Sequence, residues 1–199
     1  MARASSFAGL ILAAGESSRM GCDKALLPWQ GQTFLAAHID ALKMHTDFVL
    51  VVAGKNAPSL EPIVDARAGF LAVNPNPERG QFSSLQVGVQ EVLNRGRDAA
   101  IIALVDRPPA QADTIHRLRL AFEQAPPGTW AVIPEHAGAH GHPIVAGREM
   151  ITAFLQTACT GNARDVEHLY QQHVAYITVN DRFTIANIDT PEDYQRITR

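Results

Sequence analysis

Apolar positions along this chain follow two rhythms. The first is the short continuous run that stops at turn residues, at 7–12, 48–53, 70–73, 99–105, 130–134, 143–146 and 174–179. Runs of that length, rich in Val, Ile, Leu and Phe, predict strands buried on both faces. The second recurs at i, i+4 and i+7. Leu35, Ile39 and Leu42 predict a helix capped by Thr33 and reaching about His45. Leu85, Val89 and Val92 predict a second, capped by Ser83 or Ser84, and Ile115, Leu118 and Phe122 a third from about Asp113. Shorter helices are expected over 59–66, 148–157 and 163–172. A terminal helix should be capped by Thr190, with Pro191 first and Glu192 and Asp193 beside it at the positive end of the dipole.

Strands alternating with helices, the strands apolar throughout, argue a mostly parallel sheet covered on both faces. In such sheets ligands bind outside the carboxyl ends of the strands. Three polar loops follow strands directly: Ala13 to Lys24 after the first, Asn74 to Ser84 after the third and Asp106 after the fourth. The second half is less regular, broken at Pro126-Pro127-Gly128 and again by a loop rich in glycine and histidine before Pro143.

Composition narrows the function classes. The chain has 199 residues, read as one domain over 1–199, and its 46% apolar content suits a packed core. Net charge is −3 with no long basic run, which gives no support to nucleic acid or an anionic membrane as main partner. No apolar stretch is long enough to span a bilayer and no secretory signal is evident. Cys22 and Cys159 lie far apart with no CxxC, and free thiols in a reducing cytoplasm are the expectation.

The first loop carries the strongest chemistry. Leu12-Ala13-Ala14-Gly15-Glu16-Ser17-Ser18-Arg19-Met20-Gly21-Cys22-Asp23-Lys24 joins small residues, two glycines and two cations. A loop lying against phosphate needs small residues for close backbone approach, glycines for unusual dihedrals and fixed positive charge. The stretch is no Walker A loop, because GxxxxGK[ST] is absent from the chain. It resembles the LAAGxSxRMGxxK motif of nucleotidyltransferases built on a Rossmann-like sheet, the molybdenum-cofactor guanylyl- and cytidylyltransferases among them, and fills every fixed position.

Four further segments resemble the family's. Asp106-Arg107-Pro108 resembles the Asp-x-Pro whose aspartate holds Mg²⁺ on the triphosphate; by itself, a turn aspartate before Pro108 would look the same. Arg107 departs mildly from the pattern, and phosphate, a substrate carboxylate and solvent are all open as its partner. Asn187-Ile188-Asp189-Thr190-Pro191-Glu192-Asp193 resembles the late segment that supplies a second metal ligand. Alternate residues of extended chain share a face, so Asn187 and Asp189 are both candidates, and Asp189 could equally only shape the turn. Gly80-Gln81-Phe82-Ser83-Ser84-Leu85 resembles the cytidylyl-type segment that meets the base; ordinary helix capping would need the same serines. Gly141-His142-Pro143 resembles the acceptor-side segment of the cytidylyltransferases. Gly161-Asn162-Ala163-Arg164 matches a Gly-Asp-x-Gly-Ala-Arg loop only in part. His136, His140 and His142 have no standard zinc spacing.

The resemblance implies a three-layer α/β sandwich of the nucleotide-diphospho-sugar transferase type and Mg²⁺-dependent transfer of a nucleoside monophosphate, CTP favoured, to a phosphorylated acceptor such as molybdopterin, with a molybdoenzyme as downstream client. Residues Leu12 to Ser18 would hold the triphosphate, Arg19 would neutralise the leaving pyrophosphate and Lys24 the transferred phosphoryl or attacking phosphate. Asp106 and Asp189 would hold the metal. Lys24 has no acid near it in sequence except Glu16 and Asp23, and is expected to face phosphate. A sugar- or polyol-phosphate acceptor is the alternative within the class. A non-catalytic nucleotide- or cofactor-binding accessory protein is the alternative outside it.

Overall fold

The structure is a computed structural model that describes residues 6–15 and 20–198. In chain order the elements are β1 Phe7–Leu12, β2 Pro28–Trp29, β3 Gln32–Thr33, α1 Phe34–Lys43, β4 Phe48–Ala53, α2 Ala57–Asp65, β5 Phe70–Val73, α3 Gln81–Asn94 and β6 Ala99–Leu104. They continue with α4 Ala112–Gln124, β7 Ala131–His136, β8 Ala139–His140, β9 Ile144–Gly147, α5 Arg148–Gln156, α6 Ala163–Leu169, β10 Val174–Thr178 and α7 Pro191–Thr198. The large sheet has the order β10-β7-β9-β6-β1-β4-β5, with β8 hairpinned onto β7. All strands on that path run parallel except β9, which is antiparallel to both β6 and β7. The mostly parallel α/β sandwich expected from the apolar runs is therefore the fold.

Strand alternation divides the core in two. Phe7, Ile11, Val49, Val51, Ile101 and Ala103 face a layer holding Leu35, Ile39, Leu42, Leu60, Ile115 and Phe122 from α1, α2 and α4. Ala8, Leu10, Leu12, Leu50, Val52 and Ile102 face α3, α5 and α6 through Leu85, Val89, Ile151, Phe154 and Val166. A third cluster packs Ile188 from the late segment against Met20, Leu27, Trp29 and Phe34, which fastens the end of the chain beneath the first loop.

The sheet grows outward from β1 in one direction through β4 and β5, and from β6 in the other. The strand order thus reverses between β1 and β6, where such folds open a ligand crevice beyond the carboxyl ends. Three main-chain bonds show those ends level: Ala13 N–H donates to Val52 O at 2.8 Å, Asn74 N–H to Ala53 O at 2.8 Å and Val105 N–H to Leu12 O at 3.1 Å. The loops after β1, β5 and β6 share one edge. Among the described residues no helix is long and apolar enough to cross a membrane.

Local differences from the sequence expectation have physical causes. Neither serine caps α3. The cap is Gly80, at φ +92°, and the serines fall inside the first turn. Helix α2 starts two residues early, at Ala57, with Pro58 in the first turn where a missing N–H is harmless. The loop rich in glycine and histidine is a hairpin of β7 and β8 turned at Ala137 and Gly138, both at positive φ, and β2–β3 is a second, turned at Gln30 and Gly31. Helix α6 stops at Leu169 and a single 3-10 turn, Gln171–His173, leads into β10. Thr190 does cap α7: its Oγ1 accepts from Asp193 N–H at 3.3 Å, while Asp193 Oδ2 accepts from Thr190 N–H at 2.9 Å.

Candidate active site

Glu16, Ser17, Ser18 and Arg19 lie outside the described residues. The loop on either side of them is held firmly. Asn56 Nδ2 donates to Ala13 O at 2.9 Å and to Asp23 Oδ2 at 2.6 Å, and its Oδ1 accepts from Gly54 N–H at 3.0 Å. Asp23 Oδ1 in turn caps the 3-10 turn Lys24–Leu26 through Ala25 N–H at 2.9 Å. Asn56 thus ties the start of the loop to its end and aims Lys24. The sequence reading passed over it; an Asx residue directly after a strand-ending Gly-Lys was the available signal.

Lys24 is only 8% exposed, its stem buried and its ammonium 3.1 Å from Asp189 Oδ1. Sequence neighbours gave it no acid beyond Glu16 and Asp23; this partner stands 165 residues away in sequence. A main-chain bond holds the two segments together: Ile188 N–H donates to Asp106 O at 2.9 Å, beside the loop after β6. Ile188 points into the core at 0% exposed, and its neighbour Asn187 is exposed.

Asp106 sits beside that pair. Burial pushes its carboxyl above the ordinary aspartate range; Lys24 and then Arg107 pull it down without overcoming the burial, and Asp189 adds to the rise. Its Oδ1 is buried with no hydrogen-bond donor among the described residues. A buried carboxylate oxygen without a donor is unfavourable by about 1–3 kcal/mol, and a cation is its natural partner. Mg²⁺ takes one or two protein carboxylates and fills its remaining positions with phosphate oxygens and water, a demand that Asp106 and Asp189 match in kind.

Ser83 and Ser84 are 6% and 3% exposed. Both hydroxyls accept from Asn74 Nδ2, each at 2.9 Å, and Ser83 Oγ donates to Gly80 O at 2.8 Å. They lock the loop after β5 to the start of α3. Gly80 is exposed, a Cβ there would meet nothing within 4 Å, and its φ of +92° favours glycine.

A cleft of about 940 Å³ opens between α3, the β7–β8 hairpin and α6. Leu12, Gly80, Arg107, Gly141, His142 and Arg164 all line it, whereas Lys24, Asp106 and Asp189 are not among its lining residues. Gly141 is fixed by close approach, since a Cβ would collide with the Thr184 main chain. His142 N–H donates to Thr184 O at 2.9 Å, and the His142–Pro143 peptide is cis. Burial first, then Arg107 and Arg164, hold the His142 imidazole down to about 3, so it is neutral at working pH. Pro143 lies behind, beside His38 and Ala103. Arg107 is half-buried, and its guanidinium donates to Thr184 O at 2.7 Å. Its carbonyl meets His38 Nε2 at 3.0 Å. Burial takes His38 down to about 4 despite that bond, so the ring is neutral and Nε2–H donates. His38 falls on the stripe of Leu35 and Leu42, and a polar residue on an apolar stripe was its signal.

The other histidines separate. His136 Nδ1 lies 3.0 Å from Val179 O, whereas His140 stacks on Tyr176 with ring centres 4.0 Å apart and stands 3.6 Å from Glu135. Both cysteines are free thiols, with Cys22 exposed and Cys159 3.8 Å from an Arg79 nitrogen.

A mostly parallel sheet with a small-residue loop, a buried lysine and two carboxylates beyond its carboxyl ends is the arrangement expected of a Rossmann-like nucleotidyltransferase. The chain belongs to the MobA-like NTP transferase domain family, whose model matches residues 9–176. It is 28% identical to a molybdenum cofactor guanylyltransferase of Xanthomonas euvesicatoria pv. vesicatoria, over 95% of this chain and 93% of that one. It is 25% identical to the molybdenum cofactor cytidylyltransferase of Escherichia coli, over 93% and 92%. Among solved structures, Rv0371c of Mycobacterium tuberculosis superposes with a TM-score of 0.82 at 24% identity, over 97% of this chain and 98% of that one.

Proposed function

We propose that this enzyme moves a cytidylyl group from CTP to the phosphate of a molybdopterin-type acceptor in the cytoplasm and releases pyrophosphate. The observation that carries the reading is the convergence of Lys24, Asp106 and Asp189 at the switch point, with a Lys24–Asp189 separation of 3.1 Å. The acceptor phosphate is already anionic, so no general base is needed; its oxygen attacks the α-phosphorus in line with the leaving pyrophosphate. Positioning and charge neutralisation then supply most of the rate. Main-chain N–H groups of the loop 13–18 and Arg19 take the triphosphate. Lys24 exchanges Asp189 for the transferred phosphoryl group, and Asp106 and Asp189 would hold Mg²⁺. That ion, when bound, neutralises phosphate oxygens. A manganese complex of Rv0371c, a protein alike in fold, fits a divalent requirement. Gly80 offers the base an open backbone face, and Ser83 and Ser84 hold that backbone in place. Gly141, His142 and Arg107 line the acceptor side.

CTP rests on the segments Gly80 to Leu85 and Gly141 to Pro143. GTP is the second reading, favoured by the guanylyltransferase names that recur among the relatives. The test is pyrophosphate release with each of the four triphosphates, Mg²⁺ and molybdopterin, alongside thermal shift. A triphosphate at 100 times its Kd stabilises by about 2.7 kcal/mol. A larger shift and faster release with GTP would replace the base assignment. Triphosphate binding with no release for any acceptor would leave a non-catalytic carrier.

A further inference from the structure

In the free enzyme the ammonium of Lys24 is engaged by an acid. It stands 3.1 Å from Asp189 Oδ1, and the two side chains are 10% and 35% exposed, so the pair is partly sheltered from solvent. The main chain beneath both residues is tied down. Lys24 opens the 3-10 turn that Asp23 caps, and Asn56 Nδ2 donates to Asp23 Oδ2 at 2.6 Å. Asp189 N–H donates to Asp193 Oδ2 at 3.1 Å, and Ile188 N–H beside it to Asp106 O at 2.9 Å. Burial raises the Asp106 carboxyl, Lys24 is the strongest charge opposing that rise and Asp189 adds to it, so the three charges act on one another.

Two cations compete for one carboxylate. An ammonium already 3.1 Å from Asp189 Oδ1 satisfies that oxygen and repels a divalent ion approaching the same group. A divalent ion arriving alone brings nothing that draws Lys24 away. A triphosphate does, because its anionic oxygens accept charge-assisted bonds from the ammonium, and these are about twice as strong as neutral ones. A ligand shifts such an equilibrium only by its differential affinity for the two arrangements, and two ligands that favour the same arrangement strengthen each other equally. Resting on the reading that Asp106 and Asp189 take a divalent cation, we infer that Lys24 is the lock on that pair: in the free enzyme its ammonium holds Asp189 closed to divalent cations until a triphosphate withdraws it, so that cation and triphosphate enter together.

The test is Mn²⁺ binding to the full chain without nucleotide, followed by loss of the free-ion EPR signal. The parent should bind Mn²⁺ weakly. Lys24→Met should bind it at least about fivefold tighter, the lower end of ordinary coupling between sites. That gain should fall below twofold when Lys24→Met is made together with Asp189→Asn, because a lock acts only through the carboxylate it holds. Simple repulsion from a nearby lysine would survive the second change. Mn²⁺ affinity of Lys24→Met within twofold of the parent would overturn the lock, as would an undiminished gain in the Asp189→Asn background. Should Lys24→Met melt well below the parent, Lys24→Gln decides on the same criteria. Failure of the underlying reading registers separately, as no melting shift of the parent with Mg²⁺ and any triphosphate, and overturns the lock with it.

Discussion

Replacing Asp106 by Ala should separate stability from function in opposite directions. In the free protein the carboxylate is held against its preference: burial raises its pKa, and Oδ1 has no donor among the described residues. Removing it relieves about 1–3 kcal/mol of unmet desolvation. The loss is attraction to Lys24 and Arg107, which together offset roughly 1 kcal/mol in partly screened surroundings, and Lys24 keeps Asp189 at 3.1 Å. The net change lies between about zero and 2 kcal/mol in favour of the variant. For a chain of this size 1 kcal/mol moves Tm by about 2–4 °C, so the ligand-free variant should melt level with the parent or up to several degrees higher. With Mg²⁺ and CTP at 100 times the parent's Kd, the parent should gain about 2.7 kcal/mol, or roughly 5–11 °C. The variant should gain almost none of this, and pyrophosphate release should stop. Scanning fluorimetry with and without Mg²⁺ and triphosphate reads both effects. A ligand-free Tm more than about 4 °C below the parent would show that the carboxylate is structural. A full ligand-induced shift in the variant would show that it does not hold the metal. Either result refutes the argument.

Lys24→Ala should lower kcat several hundred-fold, matching roughly 3–4 kcal/mol from one preorganised donor, with a much smaller change in triphosphate KM; a kcat within twofold at saturation would reduce Lys24 to an ion-pair partner of Asp189. Asn74→Ala removes the amide that both Ser83 and Ser84 hydroxyls accept from. It should cost about 2–3 kcal/mol in urea unfolding and raise the triphosphate KM; an unchanged midpoint would show those bonds to be idle. His38 sits near 4 in the folded state against 6.5 for its free side chain. The unfolded chain therefore takes up the proton first, and stability falls as pH drops from about 6.5 through 4, by up to roughly 3 kcal/mol. Urea midpoints measured from pH 7 to pH 4 should fall less steeply in His38→Gln, and equal slopes would exclude the histidine as a source of acid sensitivity.

The apolar runs at β1, β4 and β6 made the parallel sheet legible in the sequence. A strand with no polar face has only a place between two helical layers, and loops after parallel strands necessarily share an edge. The same argument places Gly15 and Asp106 on one edge of the sheet, where β1 and β6 end. Thr190 was legible as a cap because capping is decided within four residues. The two short hairpins were not, since Gln30-Gly31 and Ala137-Gly138 turn strands of two paired residues that leave no apolar rhythm.

What escaped the sequence is what depends on burial and distant pairing. Ser83 and Ser84 looked like exposed caps and are 6% and 3% exposed bolts to Asn74. Lys24 looked free and is joined to Asp189 from the far end of the chain. Asn56 and His38 carry no motif, and their roles arise from what surrounds them: a loop end to tie and an Arg107 carbonyl to hold. Local sequence determines backbone preference and the period of burial, because both act over a few residues. The desolvation and partner of a charged group are sums over atoms that only the folded chain brings within a few ångströms, and these the tertiary structure alone decided.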